Sequence, residues 1–106
     1  MLNIWVDDIR TPPSDYNYWC KSVNDCIRLI DHYCGQSLVG EYINIINLDH
    51  DAGDYYKYGG DYIKILEYLE EHYPNNNITF YLHTQNPVGR YNMENIIYHN
   101  GWYLGF

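Results

Sequence analysis

Basic side chains are scarce in this chain of 106 residues. Six Lys and Arg are outnumbered by 14 Asp and Glu, and the formal net charge is −8 at pH 7. Tight non-specific binding to a polynucleotide depends on cations that displace counterions from phosphates, so this composition disfavours it. A small anionic ligand is not excluded, because a divalent cation held by carboxylates can reverse the local field.

Long apolar runs and targeting signals are lacking as well. No segment approaches the ~18 consecutive apolar residues of a transmembrane helix. The first residues, "MLNIWVDDIR", lack the basic region and the cleavage site of a signal peptide. The three cysteines, Cys20, Cys26 and Cys34, show no CxxC spacing and are expected to be structural thiols in a reducing compartment. These absences favour a cytoplasmic protein with no membrane partner.

The apolar pattern predicts strands alternating with helices in one domain, residues 1–106. Strands are expected at 2–6, 17–20, 42–48, 78–82 and in the final "WYLG". Helices are expected from the N-cap Ser22 to the C-cap Gly35, from about 61 to 72 and from about 88 to 99. The segment "DAGDYYKYGG" is expected to be a glycine-rich loop. This order predicts a mostly parallel sheet with helices on both faces, a three-layer α/β sandwich.

Ionisable side chains follow three of the predicted strands. Asp7 and Asp8 end the run "LNIWV", residues 49–51 (Asp-His-Asp) end "INIINL", and His83 ends "ITFYL". In open α/β sheets, ligands bind outside the carboxyl ends of the strands. If the three strands are neighbours, these side chains converge on one crevice.

The carboxylates of this predicted crevice are hard oxygen ligands. Asp7, Asp8 and Asp49, with Asp51 nearby, predict a site for a divalent metal, Mg²⁺ or Mn²⁺. The alternative for Asp7 or Asp8 is that it opens the loop before Pro12. The alternative for Asp49 and Asp51 is that they cap a turn.

Two histidines could move protons in the same crevice. The histidine side chain ordinarily changes charge near neutral pH, so either His50 or His83 could act as general acid or base. Together with Asp49 they are the catalytic candidates. The alternative for His83 is a buried imidazole held by hydrogen bonds.

The segment "HTQNPVGR" combines polar side chains with a predicted helix start. Exposed amides and the positive end of a helix dipole form a natural anion site, and arginine suits bidentate contact with phosphate. The substrate-binding candidates are Arg10, Thr84, Asn86, Arg90 and Asn92. Arg90 could instead pair with Glu94 at i,i+4, and Asn92 could be a solvated helix residue.

Four blocks of the chain, "WVDDIRTPP", "INLDHDAG", "GGDYIKILEYL" and "LHTQNPVGRYNM", resemble the cyclic-phosphate processing receiver family. The resemblance implies a receiver-like (flavodoxin-like) fold, with a five-stranded sheet in the order 2-1-3-4-5 and the first crossover helix reduced to a proline loop. It matches Asp7 and Asp8 to a metal-holding acidic pair, Asp49 to the phosphoacceptor and Thr84 to the hydroxyl of receivers. Thr84 replaces the usual serine, and Ala52 the usual leucine.

The resemblance implies a metal-assisted phosphodiesterase that hydrolyses a cyclic phosphate. The substrate would be a small cyclic nucleotide or the 2′,3′-cyclic phosphate end of an RNA. One alternative is binding without turnover, in which the domain sequesters a cyclic nucleotide and Tyr55, Tyr56 and Tyr58 stack on its base. A third reading is an ordinary receiver that is phosphorylated on Asp49.

Overall fold

The chain folds into a parallel sheet with helices between its strands, and the computed structural model describes residues 1–35 and 40–105. The strands are β1 (Leu2–Val6), β2 (Tyr18–Cys20), β3 (Ile43–Leu48), β4 (Thr79–Leu82) and β5 (Tyr103–Leu104). The helices are α1 (Val23–Gly35), α2 (Ile63–His72) and α3 (Pro87–His99), with a 3₁₀ helix at Gly53–Tyr58. None of these described helices is long and apolar enough to cross a membrane. The strand order is β2-β1-β3-β4-β5 and every neighbouring pair is parallel, so the predicted α/β class and strand order are confirmed.

Local predictions are mostly confirmed, with differences at two glycine-containing segments. The hydroxyl of Ser22 accepts a hydrogen bond from the amide of Asp25 at 3.1 Å, which confirms the predicted N-cap of α1. Gly35 is the last residue of α1 rather than a residue beyond it, and residues 36–39 lie outside the described chain. The segment predicted as a glycine-rich loop contains the 3₁₀ helix, so that prediction is wrong for residues 53–58.

All three helices pack on the same face of the sheet. The crossovers through α1, α2 and α3 step in one direction across the strand order, and parallel crossovers are right-handed. The side chains on this face are fully buried at Ile4, Val6, Ile46, Leu48 and Phe80. They form one core with apolar residues of the three helices, so the main core is one-sided.

The opposite face is covered in part by a loop. The crossover from β1 to β2 steps the other way and has no helix, as the resemblance implied. In this loop, residues 7–17, Tyr16 packs edge-on against Trp5 with 5.3 Å between ring centroids. The amide group of Asn3 donates to the carbonyl of Asp15 at 3.2 Å. Among the described residues, this loop takes the place in which a helical third layer was expected.

Neighbouring isoleucines of β3 provide a test of the one-sided core. Ile46 is fully buried under the helices, whereas Ile45 points to the other face and is half-buried. We expect Ile46→Ala to lower the free energy of unfolding by about 2–5 kcal/mol, because it leaves a cavity. The matched Ile45→Ala should cost about 1 kcal/mol or less. Urea denaturation measures both, and equal losses would contradict a core on one face.

Candidate functional site

The carboxylate of Asp7 is held rigidly at the end of β1. Its side chain is only 1% exposed, and its Oδ1 accepts hydrogen bonds from the amides of Ile9 at 2.9 Å and Arg10 at 3.0 Å. Burial by itself raises the pKa of Asp7, but these amides and the His83 imidazole more than offset it, so the pKa lies below its ordinary value. Asp7 is therefore buried and ionised, and its second oxygen, Oδ2, is directed toward the ends of the neighbouring strands.

His83 joins the end of β4 to that second oxygen of Asp7. Its Nε2 lies 2.8 Å from Asp7 Oδ2, and its Nδ1 lies 2.7 Å from Asn47 Oδ1 on β3. Its ring stacks on Trp5 at 4.0 Å between centroids and 5° between planes. Burial lowers the pKa of His83, and the nearby carboxylates only partly oppose this. The imidazole is thus fixed in position, with each ring nitrogen directed at an oxygen atom.

Asn47 is in turn held by the loop over this face. Its Nδ2 donates to the hydroxyl of Tyr16 at 2.9 Å, so its Oδ1 is directed at His83. An acceptor at Nδ1 leaves Nε2 as the nitrogen that faces the carboxylates. This arrangement is typical of histidines that bind metals, in which the other ring nitrogen donates to an oxygen.

Asp49 completes a group of potential metal ligands. Ligand atoms of Asp7, Asp49 and His83 all lie within 4.8 Å of one another. The guanidinium of Arg10 borders them, with Nη1 at 3.8 Å from Asp7 Oδ2 and 4.0 Å from Asp49 Oδ2. The carboxyl ends of β1, β3 and β4 therefore meet as the sequence predicted, and the group could hold a metal ion.

Asp8 lies beside this group, and the neighbouring carboxylates repel its negative charge. Its side chain approaches Gly53 so closely that a Cβ there would collide with Oδ2, and Gly53 also has a φ of +54° that favours glycine. Burial raises the pKa of Asp8, and so do the negative charges of Asp7 and Asp49. A cation among these carboxylates would relieve the repulsion between them. The crowding of negative charge around Asp8 therefore fits a metal site.

Asp51 belongs to a different group from the one the sequence predicted. Its Oδ1 lies 2.9 Å from Nδ1 of His50, and ligand atoms of His50, Asp51 and Asp61 lie within 4.8 Å of one another. Asp61 also accepts from the amide of Ala52 at 3.0 Å. Asp51 is thus the partner of His50, and it is separate from the ligand group of Asp7, Asp49 and His83.

Comparison with known families agrees with this geometry. The family model of the cyclic-phosphate processing receiver domain matches residues 2–99. The chain belongs to this family. No curated protein and no solved structure matches the chain.

Several residues predicted to bind substrate instead make hydrogen bonds within this receiver domain. Thr84 Oγ1 accepts from the amide of Asn86 at 3.1 Å, and Asn86 Oδ1 caps α3 by accepting from the amide of Gly89 at 3.0 Å. Arg90 Nη1 donates to the carbonyl of Leu82 at 2.8 Å, and its Nε also lies 3.8 Å from Glu94 Oε2.

The other two substrate candidates are more accessible. Arg10 Nη1 donates to the carbonyl of His83 at 3.2 Å, yet its side chain is 47% exposed at the edge of the metal-ligand group. Asn92 is exposed on α3. Arg10 is therefore the predicted cation that the structure brings to the ligand group.

The repulsion on Asp8 predicts how the stability of the metal-free protein changes when this carboxylate is replaced. A raised pKa means that ionised Asp8 destabilises the fold at neutral pH. We expect Asp8→Asn to raise the melting temperature at pH 7 without metal. The gain should shrink as the pH falls through the raised pKa toward 3.8, because the parent Asp8 is then protonated.

Mn²⁺ should raise the melting temperature of the parent more than that of Asp8→Asn. Ligands that bind the native state raise the melting temperature, so we expect Mn²⁺ to stabilise the parent more than Asp8→Asn. The exposed Asp15 supplies a control, because Asp15→Asn should leave both melting temperatures near those of the parent. Scanning calorimetry with and without Mn²⁺ measures these shifts, and a metal-free Asp8→Asn variant less stable than the parent would contradict the repulsion.

Proposed function

We propose that this receiver domain hydrolyses a cyclic phosphodiester with the help of a divalent metal. The observation that carries the proposal is the grouping of Asp7, Asp49 and His83 within 4.8 Å at the carboxyl ends of three neighbouring strands. Mixed carboxylate and imidazole ligands suit Mn²⁺, and the carboxylates alone suit Mg²⁺. Asp7, Asp49 and His83 would hold the ion, with Asp8 beside them. When bound, the ion would orient water and offset the charge on the phosphoryl oxygens.

Of the two histidines, we assign proton transfer to His50. Its Nδ1 pairs with Asp51, which leaves Nε2 able to take a proton. Its ring packs against Gly89 so closely that a Cβ there would lie 2.5 Å from Cγ. His83 was also predicted to be an acid or base, but both of its nitrogens are engaged with Asn47 and Asp7. These contacts favour His83 as a ligand and His50 as the base.

The proposed reaction opens the ring by in-line attack of water. Nε2 of His50 takes a proton from the attacking water as its oxygen forms a bond to phosphorus. The ring P–O bond on the opposite side breaks, its electron pair goes to the leaving alkoxide, and that oxygen takes a proton from solvent. Arg10 stabilises the phosphoryl oxygens, because its exposed guanidinium borders the ligand group. The product is a phosphate monoester.

Replacement of the proposed base tests this mechanism. We expect His50→Ala to lose about 10²–10⁴-fold in turnover, because a general base is removed, while it keeps its affinity for Mn²⁺ and for the phosphate monoester product. His99→Ala, in the exposed last turn of α3, is the matched control and should retain the parent rate. The substrates are a panel of 2′,3′-cyclic and 3′,5′-cyclic nucleotides, read by mass spectrometry. Parent turnover by His50→Ala would overturn the assignment.

Binding without turnover has one observation in its favour. A groove of about 330 Å³ lies between the start of α1 and the 3₁₀ helix, lined by Ser22, Asn24, Asp25, Arg28, Tyr55 and Tyr58. Two tyrosines and an asparagine in such a groove suit a nucleobase. Intact cyclic nucleotide recovered from the parent after long incubation with Mn²⁺ would favour this second function over hydrolysis.

A further inference from the structure

The sheet face on which residues 1–35 and 40–105 place no helix has a strip of partly exposed side chains beyond the loop 7–17. The strip consists of Ile45 on β3, Thr79 and Tyr81 on β4, and Tyr103 on β5, which we call the open face. Pairing of Ile45 with Thr79 and of Thr79 with Tyr103 places three of them in one row across the sheet. Tyr103 is 68% exposed, and Ile45, Thr79 and Tyr81 are half-buried.

The tyrosine rings of the open face are placed for stacking. The ring of Tyr81 reaches so far over Gly105 that a Cβ there would collide with it. It therefore extends over the backbone of Gly105, the residue after β5. Tyr103 lies one strand across and two residues back, about 8 Å away from the strand spacings.

The open face also avoids the charge that dominates the rest of the chain. The described strand residues that point to this side are Asn3, Trp5, Trp19, Ile45, Asn47, Thr79, Tyr81 and Tyr103. None of them is a carboxylate, in a chain with a net charge of −8. One cation stands near its edge, since Arg10 Nη1 donates to the carbonyl of His83, the residue after β4, at 3.2 Å. A negatively charged partner could approach this side without meeting a strand carboxylate.

The open face is continuous with the proposed reaction site. Tyr81 comes two residues before His83 on β4, a distance of about 6.6 Å along a strand. Asn47, which holds His83, lies directly beside Tyr81 in the register of β3 and β4. If a terminal phosphate binds at Asp7, Asp49 and His83, the nucleotides attached to it would extend over the tyrosines.

We propose that the open face binds the single-stranded RNA that precedes a terminal 2′,3′-cyclic phosphate, with bases stacked on Tyr81 and Tyr103. Aromatic side chains on an exposed sheet are a recurrent platform for unpaired bases, and their stacking tolerates any sequence. A cyclic phosphate of this kind needs a 2′-hydroxyl, so the strand is RNA. The proposal rests on the proposed function for the terminal phosphate, and it adds the surface that selects an oligonucleotide over a mononucleotide.

A second copy of the chain is the other occupant that such a face could take. The core of an interface between copies is richer in apolar side chains than the rest of the surface. The open face instead has one aliphatic side chain, Ile45, beside the hydroxyl-bearing side chains of Thr79, Tyr81 and Tyr103. Aromatic rings stack on bases and hydroxyls bond their edges, which favours RNA.

Ligands that the enzyme cannot hydrolyse provide the test. The probes are uridine 3′-monophosphate and a four-uridine RNA that ends in a 3′-phosphate, titrated by calorimetry at 0.15 M salt. We expect the parent to bind the tetranucleotide at least about 5-fold more tightly. Tyr103→Ala should weaken tetranucleotide binding by about 5- to 150-fold, the value of one stacked base. Tyr103→Phe should keep the advantage, and so should Tyr98→Ala, which removes an exposed tyrosine of α3.

Each outcome decides between the proposals. Equal affinity for the two probes, or a Tyr103→Ala variant that binds the tetranucleotide as the parent does, overturns the RNA face. If sedimentation shows a parent dimer that Tyr103→Ala makes monomeric, with tetranucleotide binding unchanged, the face is an interface between copies and the proposal is also overturned. Stacking-dependent binding without hydrolysis of any cyclic nucleotide or of a four-uridine RNA that ends in a 2′,3′-cyclic phosphate would support the face and contradict the proposed function. Hydrolysis without the tetranucleotide advantage would do the opposite.

Discussion

The hydrogen bond between His83 and Asp7 is the interaction on which the rest of the site depends. It spans 2.8 Å between the ends of β4 and β1, which are separated in the sheet by β3. Asp7 is almost fully buried and ionised, and a buried charge is tolerated only when it is paired and hydrogen-bonded. The two backbone amides and the imidazole satisfy that condition. They also turn Asp7 Oδ2 and His83 Nε2 toward Asp49, which creates the ligand group.

The loss of the first crossover helix explains how His83 comes to be supported. A helix over this face would bury the sheet beneath apolar side chains. The loop 7–17 instead brings Tyr16 onto Trp5 and Asn47, and His83 stacks on the other side of the same aromatic cluster. The same substitution of a loop for a helix leaves the far half of the sheet accessible. Support for the imidazole and the open face thus have a common structural origin.

The sequence could predict what depends on strand order and strand ends. Alternation of strands and helices predicts the parallel sheet, and a parallel sheet brings the ends of β1, β3 and β4 to one edge. The convergence of Asp7, Asp49 and His83 could therefore be predicted, although the sequence indicated His83 as an acid or base. The sequence did not reveal the role of Asn47, because its amide becomes meaningful only when the register places it beside His83. The alternation of Trp5 and Asn47 toward one face was the signal that could have shown it.

The other differences between the predicted and the observed site arise because groups within the protein compete with a ligand for the same side chains. Asn86 and Arg90 carry groups that suit phosphate, but the cap of α3 and the carbonyl of Leu82 use them first. Asp51 follows Asp49 by two residues, yet it pairs with the intervening His50. Beyond the end of a strand, alternation no longer decides where a side chain points, and local hydrogen bonds do.

The central claim is that Asp7, Asp49 and His83 share one cation. Pulsed electron paramagnetic resonance of the protein loaded with Mn²⁺ tests it directly, because a coordinated imidazole nitrogen modulates the electron spin echo. We expect nitrogen modulation in the parent, its loss in His83→Gln and its retention in His50→Gln. Modulation that survives in His83→Gln and disappears in His50→Gln would place the ion with Asp51 and Asp61 and contradict the account.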